Sequence, residues 1–248
     1  MPTERVPVGI SSCLLGNPVR YDGGHKRDSY IVDTLAELFD FHPFCPEVGI
    51  GLGVPRPPIR LLATEEGMRV VGARDRNLDV TDALKAYSVA RESEVAQLSG
   101  FIFKKGSPSC GTEGVPVFSA RGAAASGAGL FAAAVMARFP ALPVVEEGDL
   151  AEARFRESFV EQVFIYHDWR TQVAAAPTAE ALGEALGDLH ARLELDLMRR
   201  DRGSARRLGE LVAMVQRGDG HVARLAGDYI VAAMACLRQP NPCRDTIE

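Results

Sequence analysis

Three cysteines far apart in the chain, Cys13, Cys45 and Cys110, carry the first chemical signal. None belongs to a close-spaced metal motif, so their place relative to the elements matters more than their spacing. Each follows a short apolar run, at residues 6–12, 40–44 and 100–103, that reads as a strand. In an open parallel sheet the carboxyl ends of the strands share one edge, where ligands bind, so three thiols can meet there. Thiolates are soft ligands suited to zinc or to iron-sulfur clusters, and no fourth protein ligand stands out nearby, which leaves a metal position open. Gly16, Gly23 and Gly24 after the first cysteine, Pro46 after the second, and Pro108 and Gly111 around the third shape turns whose amides can donate to cluster sulfides. The plain alternative is three ordinary buried cysteines.

Two further residues sit a short loop step from these thiols. Glu47, two residues after Cys45, is placed to activate water, and Ser107, three before Cys110, to relay a proton. A salt bridge to Arg56 or Arg60 is the competing reading for Glu47, and a turn cap before Pro108 for Ser107. Arg20, Tyr21, Asp22, His25 and Lys26 occupy a Gly-rich loop and receive no assigned role. Lys104 and Lys105 follow a strand at the same edge, where cations meet a phosphate, offset a cluster's charge or stay solvated. Cys236 and Cys243 read as structural or incidental.

The elements that must hold these residues alternate strand and helix. A crossover helix is expected over 28–39, capped by Asp28 or Ser29, and a hairpin over 59–63 and 68–71. A helix follows over 80–98, a flexible small-residue loop over 121–129, a helix over 126–139 and a strand over 142–145. After residue 149 only helices remain, at about 150–174, 178–200, 202–216 and 219–237. The fold class is therefore α/β, a Rossmann-like mainly parallel sheet with helices on both faces, followed by an α-helical C-terminal domain. The boundary is placed at residue 170, giving domains 1–170 and 171–248.

The 248 residues are 46% hydrophobic, enough for a full core, and the formal net charge of −5 argues against general nucleic-acid binding, so only a local basic patch would serve RNA. The sequence shows neither a secretory leader nor an apolar run long enough to span a membrane, and five cysteines are an odd and sparse set for disulfides. A cytoplasmic protein with free thiols is expected.

Four blocks stand in order: GISSCLLG at 9–16, VRYDGGHK at 19–26, CPE at 45–47 with GLGVPR at 51–56, and FIFKKGSPSCG at 101–111. Together they resemble the thiouracil desulfidase (TudS) family, over residues 6 to 169. The helical remainder is similar to a shortened YbgA-type domain, most clearly at LGELVA, 208–213. The resemblance implies that Cys13, Cys45 and Cys110 hold a 4Fe-4S cluster whose unique iron takes the sulfur of a thiolated uracil base. Water then attacks the ring carbon and sulfur leaves as hydrosulfide, with no net redox change. It also implies that Glu47 and Ser107 are the acid-base residues.

Arg199, Arg200, Arg202, Arg206 and Arg207 form a basic cluster in the helical part, with Asp201 among them. Family members fused to such a domain are linked to 4-thiouridine in tRNA, which favours that substrate over free thiouracil. DNA and membranes are not expected partners. A third reading is a non-catalytic metal- or cluster-binding scaffold, in which a fourth protein ligand would close the site.

Overall fold

The computed structural model describes residues 5–75, 77–119 and 122–239. The chain divides into two compact units, Met1–Pro140 with Val144–Arg156, and Ala141–Pro143 with Glu157–Glu248. In the first unit, strand β1 (Val6–Ser11) leads through a 3-10 turn (Ser12–Leu15) and a loop to a short helix α1 (Ser29–Asp33). Asp28 caps α1 by accepting from the Ile31 N–H at 3.1 Å. The expected crossover helix is cut short, because the chain tightens into a 3-10 turn (Leu35–Glu37) and Phe39 already belongs to β2 (Phe39–Phe44).

A one-turn helix α2 (Pro46–Gly49) follows, then the antiparallel hairpin β3 (Ile59–Thr64) and β4 (Gly67–Gly72). The helix expected over 80–98 is two, α3 (Thr81–Ala90) and α4 (Glu92–Val95), interrupted at Arg91. Next come β5 (Phe101–Phe103), β6 (Val115–Ser119), β7 (Gly122–Gly127), α5 (Leu130–Arg138) and β8 (Val144–Glu146).

These strands make two four-stranded sheets. The first, in the order β2-β1-β5-β8, is parallel throughout, as the strand-helix alternation requires. Pro43, which weakens the case for β2 as a strand, is accommodated because β2 is an edge. The second, β4-β3-β6-β7, is mixed. Its last strand corrects the reading of 121–129 as a flexible loop: residues 122–127 pair antiparallel with β6, and α5 starts only at Leu130.

An aromatic layer holds the parallel sheet in place. Phe101 and Phe103, two residues apart and so on one face, stack at 4.0 Å between ring centroids, and Phe131 of α5 meets both edge-on. Gly9 makes room for this layer, since a Cβ there would lie 2.4 Å from the Phe101 ring.

The second unit contains α6 (Ala153–Asp168, from Glu157 on), a π-turn (Trp169–Val173), α7 (Ala179–Arg200), α8 (Arg202–Arg217) and α9 (Val222–Leu237). Leu182, Leu186, Leu189, Leu193 and Leu197 recur at helical spacing and form the buried stripe of α7. Among the described residues no helix is long and apolar enough to cross a membrane.

Candidate active site

Because β1, β2 and β5 are parallel neighbours, the residues that follow them emerge at one sheet edge. Cys13 sits in the 3-10 turn after β1, where its carbonyl accepts from the Gly16 and Lys26 N–H groups at 3.3 and 2.8 Å. Gly16 is left-handed, with φ of 96°, which ends the turn without a Cβ penalty. Cys45 is the N-cap of α2, and its carbonyl accepts from Gly49 N–H at 2.8 Å.

The loop after β5 turns back on itself through a Gly111 N–H to Ser107 carbonyl bond of 2.8 Å. It is then pressed onto the start of α5, whose Leu130 and Phe131 N–H groups donate to the Pro108 and Ser109 carbonyls at 3.1 and 3.0 Å. The otherwise orphaned donors of that helix end are thereby satisfied by the Cys110 loop itself.

The result is one cavity of about 210 Å³ that Cys13, Cys45, Cys110, Glu47 and Ser107 all line. Arg20, Tyr21, Arg56, Lys104 and Lys105 join them, and of these cations Arg20 pairs with Asp22, Arg56 with Glu47 and Lys104 with Glu147. Asp22 and His25 are engaged within their own loop, where Asp22 accepts from Gly24 N–H at 3.0 Å and His25 Nδ1 from Arg27 N–H at 3.1 Å.

All three thiols are displaced upward from the ordinary thiol value. Burial pushes Cys13 up to about 11, with Cys45 adding to the rise while Lys104 and Arg20 oppose it. Burial likewise raises Cys45, and it raises Cys110 furthest although the Ser11 hydroxyl bonds its sulfur. Thiols this close and this dry resist ionising together unless a metal takes up their charge.

The donor set suits such a group. It offers three soft sulfurs, and the cavity wall supplies neither a further thiol nor an imidazole among the described residues. Among the described residues no three His, Cys, Asp or Glu side chains converge on a single-ion position.

Both competing readings of the acid-base residues have a structural counterpart. Glu47 is paired with Arg56, whose Nη2 and Nε lie 2.7 and 2.8 Å from Oε2. Ser107 Oγ accepts from the Ser109 and Cys110 N–H groups at 3.2 and 3.1 Å, so it caps the turn while also lining the cavity.

Sequence reasoning misses Ser11 and Ser109. Ser11, buried at the end of β1, accepts from Lys104 N–H at 2.9 Å and so ties β1 to the loop after β5. Ser109, fully buried, donates to Glu47 Oε1 at 3.1 Å. Their only sequence signal is membership of the blocks that carry the cysteines.

Away from the cavity, the five-arginine cluster requires a correction at Arg200. Its side chain is 4% exposed and bonds Asp196, Glu161 and the carbonyls of Leu237 and Gln239, so it staples the helices of its own unit. Arg199, Arg202, Arg206 and Arg207 are exposed, with Arg206 paired to Glu210 at 3.0 Å. Cys236 is buried on α9, whereas Cys243 lies outside the described residues.

Comparison with known proteins bears on the whole constellation. The 2-thiouracil desulfurase family model matches residues 8–147. A solved structure described as a [4Fe-4S]-dependent thiouracil desulfidase, TudS, is 34% identical, with a TM-score of 0.46, over 63% of this chain and 99% of that one. No curated protein matches. The matched segment contains every cysteine of the cavity together with Glu47 and Ser107, and the chain belongs to the 2-thiouracil desulfurase family.

Proposed function

We propose that this protein hydrolyses the C=S bond of a thiolated uracil base, releasing hydrogen sulfide, with a 4Fe-4S cluster held by Cys13, Cys45 and Cys110. The observation that carries this reading is the single cavity in which three thiols meet Glu47 and Ser107 with no further thiol or imidazole among its described lining residues. When bound, such a cluster supplies a Lewis-acidic iron with an open position and an affinity for sulfur.

The protein's own groups supply the rest. Glu47 takes the proton of the attacking water at its carboxylate, while Arg56 holds the countercharge. Ser107 passes a proton to the base through its hydroxyl, which its two backbone donors leave free to donate. Arg20 and Lys104 favour the thiolate form of Cys13, and Arg56 does so for Cys45. The balance is that of a hydrolysis: the ring carbon exchanges sulfur for the oxygen of water, and no electrons are transferred.

For the substrate, 4-thiouridine in tRNA is favoured over free thiouracil. The exposed Arg199, Arg202, Arg206 and Arg207 support it, as does the likeness of 208–213 to the YbgA-type domain found in members linked to that substrate. The cysteine-bearing unit then forms the desulfidase domain and the helical unit the RNA-holding domain, acting in the cytoplasm, where thiols stay reduced.

Anaerobic reconstitution tests the reading. The loaded protein should release sulfide, with the oxygenated base in equal amount, and turn over thiolated tRNA faster than free thiouracil. A loaded protein that releases sulfide from none of thiouracil, 4-thiouridine or thiolated tRNA would return the site to the scaffold reading.

A further inference from the structure

Glu47 is held on both oxygens. Oε2 takes two N–H groups of Arg56, and Oε1 takes the hydroxyl of Ser109 at 3.1 Å. Arg56 is itself immobilised: its Nη2 donates to Val19 carbonyl at 2.9 Å, its Nη1 to Gly53 carbonyl at 3.2 Å, and its backbone N–H to Tyr21 carbonyl at 2.8 Å. The Arg56 side chain is 5% exposed and the Glu47 side chain 14%.

An ion pair buried this far is weak evidence for stability, because desolvation offsets most of its attraction. A guanidinium fixed by two carbonyls does, however, fix the direction of the carboxylate oxygen it grips. Ser109 supplies the other half of that restraint. It is fully buried behind the cavity wall, and its backbone N–H donates to Ser107 Oγ at 3.2 Å while its side chain donates to Glu47.

We propose that Ser109 and Arg56 are positioning residues that clamp the Glu47 carboxylate in its working direction, and that Ser109 sets the spacing between Glu47 and Ser107. This rests on the reading of Glu47 and Ser107 as the proton-handling pair. Ser109 does not touch the substrate; it acts through Glu47. The hydroxyl leaves the remaining lone pair of Oε1 for water, so the clamp orients the base without occupying it.

The test uses the full chain with its cluster reconstituted, thiouracil as substrate, and the variants Ser109→Ala, Ser109→Thr, Arg56→Lys and Glu47→Gln. Ser109→Ala should keep wild-type iron content and a KM within about two-fold while kcat falls about 10- to 100-fold. Ser109→Thr, which keeps the hydroxyl, should recover most of that loss. Arg56→Lys, which keeps the charge but not the fork, should lower kcat in the same way. In a crystal structure of Ser109→Ala the Glu47 carboxylate should leave the line between Arg56 and residue 109.

An unchanged kcat in Ser109→Ala, a loss confined to KM, or an unmoved Glu47 overturns the clamp. So does loss of the cluster with Glu47 unmoved, since Ser109 would then be a support of the Cys110 loop. Glu47→Gln separates the two levels of the argument. Wild-type turnover there removes the underlying reading, whereas an inactive Glu47→Gln beside a fully active Ser109→Ala removes the clamp alone.

Discussion

Cluster binding and proton handling are assigned to different side chains, so they should come apart on substitution. Changing Cys13, Cys45 or Cys110 to Ser should abolish cluster absorption. Glu47→Gln should keep that absorption and lose about 10²- to 10⁴-fold in kcat, the usual contribution of a positioned acid-base group. Ser107→Ala should lose less, because water can replace a hydroxyl relay. The raised thiols make a second expectation for the cluster-free protein. The folded pKa of Cys13, about 11, lies above its ordinary 9.0, so the folded state holds its proton longer than the unfolded chain does. The associated stability is fully present below pH 9 and is lost as pH rises through about 11. Cys45 and Cys110 add in the same direction. Denaturant midpoints of the cluster-free protein should therefore fall over this range. Tyr87, raised by burial to about 12, titrates close by, so the comparison that isolates the thiol is wild type against Cys13→Ser, in which the fall should be shallower.

At the level of elements, β1 and β5 are legible as compact apolar runs, and β2, weakened by Pro43, because it leads directly into Cys45. The hairpin of β3 and β4 and helices α7, α8 and α9 are legible for a similar reason, with clear periodicity between turn signals. Strand β7 is not, because residues 122–127 are all Gly, Ala and Ser and their pairing depends on β6, which Pro116 disguises. The same limit applies to the site. Cysteines at strand ends announce themselves, but Ser11 and Ser109 act through partners 93 and 62 residues away, which no local pattern reveals. Helix α5 is legible as a helix, but its hold on the Cys110 loop is hidden in the same way. A Cβ at Gly129 would lie 2.5 Å from the Ser109 carbonyl carbon and 2.8 Å from Cys110 N, both backbone atoms that cannot swing away. Gly129→Ala should therefore destabilise the protein by about 1–3 kcal/mol, as overpacking does, and lower its iron content by displacing Cys110. Thermal unfolding and iron analysis would check both. A variant with wild-type melting and full iron would show that the loop does not depend on this close approach.

For the whole molecule, the net charge of −5 means that any attraction to RNA must be local, and the exposed arginines of the helical unit are the patch on which the tRNA reading depends. Arg200 divides that cluster by function. Removing its buried guanidinium would take from Asp196 and Glu161 the cation they share and from the Leu237 and Gln239 carbonyls their side-chain donor, at a cost of about 1–3 kcal/mol. Arg200→Ala should thus lower the melting temperature, and it reports on the fold rather than on RNA. Arg199, Arg202, Arg206 and Arg207 are exposed, so changing them together to Gln should leave melting nearly unchanged. If they contact phosphates, the quadruple variant should bind thiolated tRNA more weakly and with a flatter dependence on salt, because each lost contact removes about 0.9 from the slope of log K against log salt on a duplex. Its turnover of free thiouracil should stay at the wild-type level, since the cysteine cavity is built entirely from the other unit. Damage to the fold would depress both substrates, whereas loss of an RNA-holding surface depresses only the large one. Equal turnover of thiolated tRNA by wild type and variant across a salt series would leave these arginines as a solvated helix surface, and the substrate would then be a small thiolated base.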